Sequence, residues 1–225
     1  MKSNIQSLSD KQCDDLTVTS ESVTATSKKT LYKFSLNALI IVAISILVNI
    51  AIRADYLYFQ LSHGQISVTE TIQLIMLGIT AVTFVNIART QKAVSHAALL
   101  IAGFFAVLMI REMDEWLDHV YHGFWVVPAL ITASAAIYYA YTGGQRTINE
   151  MAAILRAPFM NMLVGGVVLL LVFSRLYGMG SFWSGVMQDH YIRDVKNISE
   201  EGIELLCYCL IALSAMKARR AIKKC

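Results

Sequence analysis

Six stretches of this chain are apolar over roughly the 20 residues that a helix needs to cross a bilayer. They run over about 34–52, 68–87, 93–110, 124–141, 159–177 and 203–216. The sixth reaches full length if its helix begins at Glu200. The third is expected to continue to about residue 118, past the membrane surface, because Gly123 is the first stop signal after it. Pro128 and Pro158 fall in first turns, where the missing N–H costs little. The expected fold is all-α, a polytopic six-helix transmembrane bundle. Composition agrees: 56% of residues are hydrophobic and 16% charged, against about 45–50% and 25% in soluble domains. A net charge of +3 gives no reason to expect nucleic acid, and four cysteines do not make a disulfide scaffold.

Lys and Arg alternate by loop. Lys28, Lys29 and Lys33 precede the first span, Arg89 and Lys92 follow the second, and Arg146 and Arg156 follow the fourth. Lys217, Arg219, Arg220, Lys223 and Lys224 follow the sixth. With six spans, one face carries 14 basic and 5 acidic residues and the other 5 and 11. The basic face is cytoplasmic by the positive-inside rule, so both termini are expected there, in a cell inner (plasma) membrane. Residues 1–27 are polar and Ser/Thr-rich and read as a disordered cytoplasmic tail. Residues 28–225 form the transmembrane domain, whose first span acts as the uncleaved targeting signal. Cys207 and Cys209 read as apolar packing. Residues 146–157, with Ile148, Met151, Ala152 and Leu155 at helical spacing, read as a short interfacial helix. His96 stands alone at the cytoplasmic start of the third span.

The spans carry almost no charge at mid-depth, which argues against a pump, a voltage sensor or a proton-coupled transporter. The ionisable groups gather at the outer ends. Glu115, Asp118, His119 and His122 would share one face of a continued third helix, with Arg111 and Glu112 one turn deeper. His190 and Asp194 stand one turn apart, and Glu200, Glu201 and Glu204 open the sixth span. Glu70 and Gln73 open the second. Arg53, Arg111 and Arg175 each close an odd span, as a repeated hairpin or as interfacial arginines would.

Two functions follow from such a cluster. Imidazoles and carboxylates from several helices can hold a divalent metal such as zinc, iron or manganese. Glu115, Asp118, His119, His122 and His190 are the candidate ligands, with Glu112 or Glu201 as general base. Glu70, Gln73, Arg111, Arg175, Asp194 and Glu204 would complete an outward-opening pocket. That constellation suits a metal-dependent hydrolase acting on a lipid or lipid-linked substrate. Alternatively, the arginines neutralise the carboxylates, and the chain is a non-catalytic scaffold or complex subunit. The expected partners are membrane lipids and a periplasmic or membrane protein. Neither His-Glu-x-x-His nor Gly-x-Ser-x-Gly occurs in the sequence. Topology reporters fused after Gln145 and Cys225 should report cytoplasm, and one at Gly64 the outside. An external C-terminus would exclude the six-span reading.

Overall fold

The computed structural model describes residues 25–58 and 67–223, and every regular element among them is helical. The expected disordered tail falls almost wholly outside the described residues, as do His63 and Cys225. The chain divides into two units, 1–40 and 41–225. The described part of the first is the beginning of α1 (Ala25–Arg53), a helix free of Gly and Pro.

In the second unit α1 ends in a π-helical turn, Ala54–Tyr58. It is followed by α2 (Val68–Thr90), α3 (Ser95–Glu112), the single turn α4 (Asp114–Leu117) and α5 (Val126–Gly143). Next come α6 (Gln145–Leu155) and α7 (Met160–Val168), the latter passing through a π-helical segment, Leu169–Ser174, into α8 (Arg175–Tyr177). The short α9 (Gly180–Met187) and the 30-residue α10 (Arg193–Ile222) complete the described chain.

Five helical runs are long and apolar enough to cross a membrane: Ser27–Tyr58, Val68–Thr90, Lys92–Glu112, Val126–Gly143 and Met160–Tyr177. Large apolar side chains on them, such as Ile46, Leu130, Ile131, Ile137 and Val172, are exposed. A water-soluble surface does not tolerate apolar area on that scale, and lipid does. The chain is a multi-pass membrane protein. The sixth expected span lies within α10, which is not among the five because charged residues crowd both of its ends. Yet α10 is deeply buried: Leu205, Ile211, Ala212, Ala215 and Ala218 are fully covered. It packs against α2 on one side and α7 on the other. The main packing order is α5, α3, α2, α10, α7, and the end of α1 adds Val48 and Ala51 against Leu205 and Cys209.

Small residues set the helix spacing, as lipid-embedded bundles require in the absence of a hydrophobic driving force. A Cβ at Gly103 would run into that of Ala136, and one at Gly166 into Ile211. These contacts bring α3 close to α5, and α7 close to α10.

One expectation fails. The third helix does not continue to residue 118. It ends at Glu112, where the Met113 N–H turns back to Ile110 and Arg111 oxygens. After one further turn the chain coils to Trp125, with Gly123 at φ +83. The Asp118 carboxylate accepts from the Gly123 N–H at 2.9 Å and stabilises that coil. The short helix expected near 146–157 forms as α6; Thr147, Glu150 and Ile154 are its buried face, and Ile148 and Leu155 of the apolar set are exposed.

Gly103→Val should lower stability by about 1–3 kcal/mol through overpacking. Gly165→Ala, whose Cβ meets nothing within 4 Å, should leave stability unchanged or raise it slightly. Thermal melting of the purified variants in detergent checks both.

Candidate functional site

At the acid-rich end of the bundle, side chains from several helices converge on the first turns of α10. Glu204, buried, accepts through Oε1 from the Ser174 hydroxyl at 2.9 Å, and the same oxygen lies 3.3 Å from the Arg175 guanidinium in an ion pair. Arg175 also reaches Glu200 at 3.4 Å, and Lys196 holds the other Glu200 oxygen at 2.8 Å. Gly178 lies against the Glu200 carboxyl so closely that a Cβ there would overlap it. Glu201 accepts from the Tyr56 hydroxyl at 3.1 Å, and its backbone oxygen accepts from Gln73 Nε2 at 3.4 Å. One turn deeper, Tyr208 donates to Glu112 Oε1 at 2.9 Å, and Arg111 donates to the same oxygen at 2.6 Å. Glu70 and Asp55 act electrostatically on Glu201, Glu112 acts on Glu204, and Asp194 acts on Tyr56. Of the eight residues assigned to the pocket and the general-base role, Gln73, Arg111, Glu112, Arg175, Glu201 and Glu204 take part in these contacts, and Glu70 and Asp194 bear on them electrostatically.

Two π-helical segments position part of this set. An extra residue in a helical turn redirects the side chains around it. One such segment presents Asp55 and Tyr56, and the other delivers Ser174 to the start of α8. Asp55, 2% exposed, caps α2 from outside that helix. Its oxygens accept from Val68 N at 2.7 Å, Thr69 N at 2.8 Å and the Thr69 hydroxyl at 2.6 Å. Ser67 takes the Glu70 N–H at 2.9 Å. The orphan donors of the α2 N-terminus are thus met by an anion that the helix dipole also favours.

The proposed metal ligands are placed differently. Asp118 and His122 pair at 3.0 Å, and the His122 ring is fully exposed. His119 and His190 are exposed, and the Glu115 side chain is not among those described. With α3 broken at Met113, the four positions share no continuous helical face. Among the described residues, no group of three or more His, Cys, Asp or Glu is placed to hold a metal ion.

Sequence reasoning missed three participants. Tyr208 stands one turn below Glu204, so extending the carboxylate stripe by i+4 would have found it. Asp55 has no local signal, because its role depends on a helix that begins 13 residues later. The third is Glu150, at the basic end. Glu150 is 3% exposed and caps α3, accepting from His96 N at 2.8 Å and Ala97 N at 3.1 Å. It also meets the His96 ring at 3.2 Å and Arg146 Nε at 2.8 Å, while Arg146 reaches the Lys92 carbonyl at 2.9 Å. His96 further stacks on Tyr139, with ring centroids 4.8 Å apart. It is not alone: it helps lock α6 onto α3 and α5.

Compared with known protein families, curated proteins and solved structures, the chain matches none.

Burial works to raise the Glu150 pKa, but the Ala97 and His96 donors and Arg146 outweigh it and hold the carboxyl below its usual range. A depressed folded-state pKa contributes stability that is present above the ordinary glutamate range. It is lost as pH falls through the folded value. Acid titration of helix content should show this loss in the wild type, and Glu150→Gln should flatten it while lowering stability at neutral pH.

Proposed function

We propose that the chain is a six-span inner-membrane scaffold or complex subunit, with both termini cytoplasmic and the acid-rich end facing outward. The charged cluster at that end is then a structural network that fixes α1, α2, α3 and α8 to α10. One observation carries this reading. Glu112, Glu201 and Glu204 each accept from a side chain on a different helical segment, so their oxygens already serve helix-to-helix contacts. The exposed loops beyond them, with Trp116, Tyr121, Asp189 and His190 at the surface, supply an outward face for a periplasmic or membrane partner.

α10 completes the sixth crossing in this proposal. A helix packed between two membrane-spanning helices needs apolar residues toward its neighbours rather than all round. Its charged ends at Glu200–Glu204 and Lys217–Arg220 then mark the two interfaces.

The metal-dependent hydrolase is the second reading. It draws on the charge imbalance of the cluster, where Asp55, Glu70, Glu112, Glu200, Glu201 and Glu204 face Arg111, Arg175 and Lys196. In that case Glu112 or Glu201 would act as base, beside ligands drawn from Glu115, Asp118, His119, His122 and His190.

Elemental analysis of the purified protein, set beside the melting of Glu204→Ala and Glu112→Ala, separates the two. The scaffold predicts no stoichiometric metal and a loss of about 1–3 kcal/mol in each variant, since Ser174 and Tyr208 are left without acceptors. Stoichiometric zinc, iron or manganese, lost in a Glu115→Ala, His119→Ala double variant that keeps its fold, would establish the hydrolase instead.

A further inference from the structure

The last three turns of α1 leave one side chain chemically unmet. Over residues 41–52 the helix is apolar except at Ser45 and Asn49. Ser45 is satisfied within its own helix, its hydroxyl donating to the Ile41 carbonyl at 3.0 Å. Asn49 is exposed, and its amide makes no hydrogen bond among the described residues. It stands four residues before Arg53, about 6 Å along the axis at 1.5 Å per residue, inside the candidate span Ser27–Tyr58. Cα–Cβ bonds tilt toward the N-terminus of a helix, and α1 runs into the bilayer in that direction. The amide therefore leans toward the midplane, away from the polar surface. Hydrocarbon offers it neither a donor nor an acceptor, and a polar group left unmet there is costly. This face is incomplete in a single chain.

The surface around Asn49 has the relief of a helix-packing face. Ile44, Val48 and Ala51 turn toward Leu205 and Cys209. Ser45 and Asn49 follow Ile44 and Val48 by one residue and so face about 100° away from them. Two rows at i, i+4 spacing, Ile41–Ser45–Asn49 and Val42–Ile46–Ile50, line a shallow groove. All six side chains are exposed. Rows of this spacing are the ridges that interlock when two helices pack.

Three requirements select the occupant. It must carry a hydrogen-bonding group, which excludes an acyl chain. It must be uncharged there, because none of the six lining residues can neutralise an ion within the bilayer. It must present its polar group about 6 Å inside the end of the span. A second copy of this chain meets all three. Inserted in the same membrane with the same topology, it brings its own Asn49 to the same depth. An amide is donor and acceptor at once, so it is its own complement across a two-fold axis.

We propose that the chain pairs with a second copy through α1, in a parallel contact where the two grooved faces interlock and the two Asn49 amides exchange hydrogen bonds. The pairing requires that the chain cross a bilayer and holds for either reading of the acid-rich cluster.

The test reconstitutes the full chain, carrying one fluorophore at its C-terminus, in phosphatidylcholine vesicles over a range of protein-to-lipid ratios and counts photobleaching steps. Two-step spots should become more frequent as the ratio rises. Asn49→Leu should move that rise to a ratio about 3–30-fold higher, the range that interhelical side-chain hydrogen bonds give in membranes. Asn49→Gln keeps the amide and should retain the pairing. Ile46→Trp crowds the groove without touching the amide and should weaken it, whereas Ile131→Ala, at an exposed site on α5, should leave it unchanged. Benzoylphenylalanine in place of Val42 should cross-link on irradiation to residues 41–50 of a second chain. Single-step spots at every ratio in the wild type overturn the pairing, and so does an Asn49→Leu variant that pairs at the wild-type ratio. Cross-links to lipid alone overturn it in favour of a lipid-facing surface. Cross-links to another helix of the second copy overturn it in favour of a different interface.

Discussion

Carboxylates at the edge of a hydrocarbon layer must either face water or find donors, and the bundle is arranged around that requirement at α10. Glu201 and Glu204 stand on the helix that packs between α2 and α7. Burial of Leu205, Ile211 and Ala215 on α10 fixes the rotation of the helix. Its carboxylates then point where Tyr56, Ser174 and Arg175 can reach them. The apolar contacts and the polar ones are therefore coupled. A rotation of α10 that relieved one set would expose the other, and a protein–protein hydrogen bond in a low-dielectric setting is expensive to leave unmade.

The other end is held by a similar device of opposite polarity. Glu150 projects from the amphipathic α6 into the N-terminus of α3, where two backbone N–H groups, an imidazole and a guanidinium surround it. The acid-rich end draws donors from several helices to the carboxylates of one. The basic end draws the donors of α3 and α6 to a single carboxylate.

Much of the architecture was legible in the sequence because lipid imposes a coarse rule. Long apolar runs mark six stretches, five of which coincide with helices long and apolar enough to cross a membrane, and the carboxylates, amide and arginines at the outer ends were grouped by their common depth. Depth is a one-dimensional quantity that the sequence records directly. Azimuth and chain reversal are not. The stripe Glu115, Asp118, His119, His122 presumed a continuous helix, and no Pro or Gly before Gly123 signals the break at Met113. The face by which α6 meets the bundle is not written in its apolar spacing, because its buried positions are partly polar: Thr147 bonds to the Ala140 carbonyl at 2.7 Å, and Glu150 caps the α3 terminus. Hydrophobic periodicity cannot register a helix held by its polar side. Tyr208, Asp55 and Glu150 escape a sequence reading because each has a partner distant in sequence.

The two π-helical segments carry a consequence for how the protein tolerates change in length. Each holds one residue more than a regular turn would, and each lies where a membrane-embedded helix gives way to the acid-rich end. Loss of a single residue from 169–174 would let the helix run on in regular α geometry. Everything after it would turn by about 100°, the angle between neighbours on a helix, carrying Ser174 and Arg175 away from Glu204. The apolar half of α7, from Met160 to Val168, would remain seated on α10. The segment thus works as a register shim: it uncouples the orientation of the polar end from that of the lipid-embedded half, so that length changes there re-aim the cluster without unpacking the bundle.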